Sequence, residues 1–320
     1  MTSRPVAHGI IRGQHCGQVW AQAVARLLAA PQRKVVHQII QITDPGVEDP
    51  LVRAEVEKLL AARGLDPVST VVNTLFPAEM ARTSTGPEHL AARYRAIYPR
   101  IRAENRANKR GTYFGRLVEH PCQGAPADEF TRIYRRLTTY GHGSNHAATV
   151  YEGSLRAPGP ADTGEEDTDQ ALARPADGDE ATIDFSPAIY NPKSDSMPLG
   201  FPCLVHLSFQ HVGEHLHLLA QYRSQYMIRR GYGNYLALGL LQRYLAESAG
   251  FRAGTLTVVT GQAEAEGATG DIESTLAALT QLPLFTVPTE PDSTPRPRPP
   301  RRTTSRRNGA DDPSLLPDQW

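Results

Sequence analysis

The sequence predicts an α+β fold, and three observations carry that expectation. Apolar residues recur at helical spacing in some stretches and alternate at strand spacing in others, without the regular strand–helix–strand alternation that builds a parallel sheet. Residues 204 to 222 read as two strands closed by a tight turn, which implies antiparallel pairing. Two tracts rich in Pro, Gly and charge, 157–182 and 288–320, bury too little apolar surface to offset their ordering entropy and set off the remainder.

The elements follow in order. Trp20 to Ala30 (WAQAVARLLAA) has the stripe of an amphipathic helix, and Val35 to Ile42 (VVHQIIQI) reads as a strand. Leu51 to Arg63 is a second helix with Gly64 as its C-terminal stop. Thr70 to Phe76 (TVVNTLF) is rich in β-branched residues and is expected as a strand. Pro87 to Asn105 reads as a helix with Leu90, Tyr94, Ile97 and Ile101 on one stripe, and Phe130 to Leu137 as a shorter one. Leu204 to Phe209 and His215 to Tyr222 form the hairpin, turning at Val212-Gly213-Glu214. Tyr235 to Ala249 is an apolar helix closed by Gly250, and Gly254 to Thr260 returns to strand.

These elements predict one domain over 1–287, interrupted by an acidic disordered insertion at 157–182 and followed by a disordered tail at 288–320. Thirty-four basic residues balance 34 acidic ones, so net charge implies no polyanionic partner. The tail carries a local basic run, Arg296, Arg298, Arg301, Arg302, Arg306 and Arg307, compatible with a solvated segment or with an RNA contact. The three cysteines, Cys16, Cys122 and Cys203, share no CxxC spacing, which predicts free thiols in a reducing cytoplasm. The N-terminus lacks the apolar stretch of a signal peptide, and no window reaches about 18 apolar residues, so no membrane span is expected.

The chemistry concentrates in one stretch. Pro202-Cys203 is followed by Arg223-Ser224, 20 residues after the cysteine, and by Asn234, 31 residues after it. A thiolate is the reactive form of cysteine, and a neighbouring guanidinium favours it. An asparagine amide offers one donor and one acceptor, the pair needed to read a pyrimidine edge. Each residue has a plainer reading: a buried small hydrophobe for Cys203, a strand-end ion pair for Arg223, a helix N-cap for Asn234. Gly231 and Gly233 fit either close approach of a ligand or the demands of a turn.

This arrangement resembles the thymidylate synthase superfamily, in which a P-C turn enters a strand, the chain returns to an R-S pair, and an Asn or Asp opens a long helix. Tyr190-Asn191-Pro192, with Asp195 and Pro198 before Pro202-Cys203, is similar to the family's W-N-P-x-D approach to its cysteine. The resemblance is good over 188–260 and fair over Gly111–Arg116. It implies a large mixed sheet backed by helices and a homodimer packed sheet to sheet. It further implies Cys203 as the nucleophile that adds to C6 of a uridylate such as dUMP, Arg223 and Ser224 on the phosphate, and Asn234 on O4 and N3–H. Asn rather than Asp at 234 implies uracil. The one-carbon donor implied is 5,10-methylenetetrahydrofolate, with transfer of a methyl or a hydroxymethyl group. Glu79, 35 residues before Phe114, matches the family's glutamate that organises proton transfer, against the alternative of a solvated surface acid.

Departures from the pattern are equally visible. In Gly111-Thr112-Tyr113-Phe114-Gly115-Arg116 the family's tyrosine falls on Phe114, with Tyr113 one place off, so this register does not supply a hydroxyl beside the cysteine. The family's pterin-holding aspartate is Tyr226 here, and its sugar-contacting His and Tyr are Glu264 and Glu266. The arginines that one subunit lends to its partner's phosphate site fall near Ser144-Asn145-His146, with Arg135 and Arg136 as substitutes only on a shifted register. These losses leave a second reading open, a retired relative that binds a nucleotide or a partner protein. A third is an RNA-associated scaffold using the arginine tail. No metal is expected: His142 and His146 lie among glycines, and His211, His215 and His217 lack the fixed spacing of zinc motifs.

Overall fold

The computed structural model describes residues 9–105, 108–120, 126–140, 189, 195 and 201–282. Packing divides the chain into Met1–Thr286 and Val287–Trp320. The second unit, the 157–182 insertion, Cys122, His142 and the Ser144-Asn145-His146 segment lie outside the described residues.

Five strands form a mixed sheet: β1 (Ile11–Gly13), β2 (Lys34–Ile42), β3 (Leu204–Val212), β4 (His215–Tyr226) and β5 (Arg252–Glu264), in the order β1-β2-β5-β4-β3. Strands β3 and β4 pair antiparallel through the expected hairpin, in which Gly213 takes a positive φ of 56°. Strand β4 runs parallel to β5, and β2 antiparallel to it. Mixed pairing with segregated helices is the α+β class that the sequence predicts.

One face of the sheet is buried. Leu216, Leu218, Ala220 and Tyr222 on β4, with Leu256, Val258 and Thr260 on β5, are all within 1% of full burial. Against this face packs α8 (Tyr232–Ser248), whose Tyr235, Leu238, Leu241 and Leu245 have no exposed surface. Gln242, also fully buried, donates to Leu216 O at 2.7 Å and Gly254 O at 2.9 Å, serving carbonyls beside the irregularity in the β4–β5 ladder. Helix α1 (Cys16–Ala29) adds Val19, Val24 and Leu27, and its buried Trp20 donates from Nε1 to Met227 O at 2.7 Å.

The opposite face is more open. In mid-sheet, Leu219 on β4 is 37% exposed, and it lies in register with Thr257 on β5 and Ser208 on β3. The neighbouring row is Ile39, Val259, Gln221 and His206.

Residues 70–76 correct the sequence reading. Residues 70–75 belong to α3 (Val68–Leu75), not to a strand, and Phe76 is its C-cap. Val68, Val71, Val72 and Leu75 fall at helical spacing and are buried, and α3 packs against α8. Burial of that apolar stripe outweighs the few tenths of a kcal/mol by which β-branched residues disfavour helix. Helix α2 (Pro50–Ala62) is capped by the Asp49 carboxylate, which accepts from Leu51 N at 2.8 Å, and it ends before Gly64 at a φ of 59°. The next elements are α4 (Ala78–Arg82), α5 (Pro87–Glu104), α6 (Tyr113–Val118) and α7 (Glu129–Tyr140). On α5 the buried stripe is Leu90, Ala91, Tyr94 and Tyr98, while Ile97, expected inside, is 39% exposed. After β5 the described chain closes with α9 (Thr269–Thr280). Among the described residues no helix is long and apolar enough to cross a membrane.

Candidate active site

Cys203 sits at the entrance to β3, directly after the cis Phe201–Pro202 peptide bond, and is partly buried. Pairing of β3 with β4 brings residues 20 positions apart into contact. The Arg223 amide donates to Cys203 O at 2.8 Å, and Ser224 Oγ lies 3.7 Å from Cys203 Sγ. The Arg223 guanidinium turns back on the same turn, donating from Nε at 3.1 Å and Nη2 at 2.8 Å to Pro202 O. A main-chain carbonyl at the strand end is thus one of its partners. The guanidinium fixes the P-C turn and stands beside the thiol's own backbone.

A hydroxyl also reaches the cysteine, contrary to the one-place offset read from the sequence. Tyr113 Oη accepts from Cys203 N at 3.3 Å and more weakly from Leu204 N at 3.5 Å. Burial and the adjacent Cys203 raise the Tyr113 pKa, which keeps the phenol protonated at neutral pH. Thr112 caps α6 by accepting from Gly115 N at 3.0 Å, so Tyr113 and Phe114 occupy the first helical turn and point about 100° apart. Phe114 goes into the core with no exposed surface, edge-on to Phe76, Tyr94 and Phe130. That packing leaves Tyr113 to face the cysteine. The signal was present in the sequence: of two adjacent aromatics, the one without a hydroxyl suits the core.

Behind this group stands a buried ion pair. Arg116 donates to Asp195 through Nη1 at 2.6 Å and Nη2 at 2.9 Å, with side chains 7% and 4% exposed. Nη1 also serves Ile189 O at 3.1 Å, and the guanidinium lies 5.0 Å from the Phe201 ring centroid. Phe201 in turn packs on Tyr113 with centroids 4.8 Å apart. Contacts therefore run from Asp195 through Arg116, Phe201 and Tyr113 to Cys203, linking the two segments, around 111–116 and before 203, that the sequence singled out.

Asn234 is buried, at 5% exposure, in the first turn of α8. It is not the N-cap: α8 continues from a π-helical turn, Met227–Gly231, and the cap position is Gly231 in helical conformation. The lead-in turn is capped by Glu266, whose carboxylate accepts from Ile228 N at 3.2 Å and Arg229 N at 2.7 Å. Gly231 and Gly233 serve packing rather than ligand approach. A Cβ at Gly233 would sit 2.7 Å from Val71 Cβ on α3, and one at Gly231 would sit 3.1 Å from Met227 Cε.

Other candidates resolve differently. Glu79 on α4 is a solvated acid: its side chain is 82% exposed and pairs with Arg82 at 2.9 Å, three residues on. No contact joins it to the Cys203 group, because the short α4 turns the residue to solvent. Tyr226 is 45% exposed with the Arg229 guanidinium 5.2 Å from its ring centroid, and supplies no carboxylate. Glu264 pairs with Lys34 at 3.3 Å, and Arg135 with Glu88 at 2.8 Å. His217 Nδ1 accepts from Thr255 N at 3.0 Å, and the His211 ring lies 5.2 Å from that of Phe251. Among the described residues no cluster of His, Cys, Asp and Glu could hold a metal ion. Among the described residues Cys16 and Cys203 are free thiols, and burial foremost pushes the Cys16 pKa up. Of these two, Cys203 keeps access to solvent. No protein-family model and no curated protein matches the chain.

Proposed function

We propose that this chain is a cytoplasmic one-carbon transferase acting on C5 of a pyrimidine nucleotide, a divergent relative of the thymidylate synthase superfamily. The observation that carries the reading is the convergence on one partly exposed thiol. Ser224 lies beside its sulfur, Tyr113 and Arg223 hold its backbone, and Asn234 is buried in the first turn of α8. In the proposed step the Cys203 thiolate forms a bond to C6 of the uracil ring, and the C5=C6 electron pair moves onto C5 and the O4 enolate. C5 is then nucleophilic toward an electrophilic one-carbon unit, and loss of the C5 proton to a base with expulsion of the Cys203 thiolate from C6 restores the C5=C6 bond. Arg223 would meet the phosphate and Asn234 the O4/N3–H edge.

The donor that the resemblance implies, methylenetetrahydrofolate, finds no carboxylate at Tyr226. The residues present do not reproduce the family's pterin contact, and thiol addition does not depend on the donor's identity. The resemblance also implies a homodimer packed through the more open sheet face, on which Leu219 is 37% exposed. Solvation of Glu79 and the loss at Tyr226 favour one alternative, a relative that has kept the nucleotide site without turnover.

Incubation with 5-fluoro-dUMP and methylenetetrahydrofolate, followed by intact mass, separates the two. The transferase gains the mass of a covalent adduct and Cys203→Ser abolishes it. Absence of any adduct across dUMP, UMP, dCMP and CMP analogues, with nucleotide binding retained, leaves the binding-only relative.

A further inference from the structure

Tyr222 is among the largest side chains of the core, 1% exposed, and its hydroxyl is buried with no hydrogen-bond partner among the described residues. It pairs in register with Leu204 on β3 and Thr260 on β5, one residue from Arg223 and one strand from Cys203. Burial foremost, then Tyr113, Tyr235 and the Cys203 thiol, raise its pKa, so it stays protonated and can donate. Beside it Tyr235 Oη donates to Gln225 Oε1 at 3.1 Å and Thr260 Oγ1 to the same oxygen at 3.3 Å, while Gln225 Nε2 is likewise buried without a partner among the described residues. Native interiors rarely leave such a donor unserved, because burial without a partner is costly and phenylalanine would fill the same space. A phenol retained there has a use that the free protein does not reveal.

We infer that Tyr222 is a ligand-binding residue of the Cys203 site, its hydroxyl reserved for a carbonyl oxygen of the ring that the thiol attacks. The inference rests on the reading of Cys203 as the nucleophile. When sulfur adds to the electron-poor carbon, electron density moves onto the conjugated carbonyl oxygen. A donor already desolvated and fixed at that oxygen stabilises the developing charge more than the ground state. Tyr222 would then act on the reacting ring, whereas Tyr113 acts on the backbone that presents the sulfur.

The test is Tyr222→Phe, which keeps the ring and its packing. In the ligand-free protein, removing an unserved hydroxyl should raise the melting temperature, by about 2 °C for a chain of this size. Covalent adduct formation with 5-fluoro-dUMP should slow by about tenfold or more, while Cys203 alkylation by iodoacetamide, which builds no charge on a ring oxygen, should keep its rate. A fall in melting temperature means that the hydroxyl already has a permanent partner, such as a buried water, and overturns the inference. An unchanged adduct rate overturns it as well. Failure of the wild type to form any adduct rejects the transferase reading and this inference together, and is told apart because the parent protein, not the variant, is silent.

Discussion

Asp195→Asn probes the support behind the thiol. The substitution keeps shape but removes the negative charge facing Arg116, whose two donors reach Asp195 at 2.6 and 2.9 Å. Both side chains are almost fully buried, at 7% and 4%, so water cannot replace the lost charge without opening the structure. Removing one member of such a pair leaves an uncompensated buried guanidinium and costs about 3–5 kcal/mol. The contacts of Arg116 with Ile189 O and the Phe201 ring stay in place, and the expected loss lies toward the lower end of that range. Urea unfolding followed by circular dichroism should show a midpoint about 1 M lower at unchanged slope, for a slope of roughly 3 kcal/mol per M. The double variant Asp195→Leu with Arg116→Met should recover most of the stability, because neither charge then needs a partner. Peptide-resolved alkylation of Cys203 should change in the single variant, since Phe201 and Tyr113 link the ion pair to the cysteine. A single-variant loss below about 1 kcal/mol would refute the reasoning, placing this pair with weak, solvated surface bridges.

The remaining predictions concern the groups beside this pair. Tyr113→Phe keeps the ring against Phe201 but removes the acceptor from the amides of Cys203 and Leu204, and should cost about 1–2 kcal/mol in thermal or urea unfolding. A change within about 0.5 kcal/mol, the range of an inconsequential substitution, would show that the 3.3 Å contact carries no weight. His120 is 2% exposed and its pKa is lowered from 6.5 to about 4, by burial first and then by Arg116. The folded state therefore resists a proton that the unfolded state accepts. Stability should fall as pH drops from 6.5 towards 4 and level off below, by up to ~3 kcal/mol from this residue. Urea midpoints measured between pH 7 and 4.5 should drop less in His120→Phe, and an identical drop in both proteins would remove His120 from the account.

Much of the fold was readable because its signals are local. The β3–β4 hairpin, the apolar run of α8 and the glycine stop after α2 each follow from period or turn residue within about a dozen residues. The strand expected at 70–76 failed because Val71 and Val72 carry β propensity while the stripe Val68, Val71, Val72 and Leu75 has helical period, and packing against α8 decides between them. In the candidate site, proximity of Cys203 to Arg223 and Ser224 was legible, since a hairpin converts fixed spacing into fixed contact. The family register misplaced Tyr113, although the phenol's poorer fit to the core was a signal, and of the two readings of Glu79 the structure bears out the solvated acid.

By itself the sequence determined that this chain combines strands and helices in an α+β arrangement and that a hairpin sets Cys203 beside Arg223 and Ser224. Backbone periodicity and pairing geometry act over short separations, so composition and spacing are enough for that much. Only the tertiary structure decided which of two adjacent aromatics turns to the Cys203 backbone and that Asp195 neutralises Arg116 from 79 residues away. It also decided that Tyr222 stays buried with its hydroxyl unserved. Those choices are made by competition for core volume and by desolvation, and both depend on which distant segments arrive at the same place.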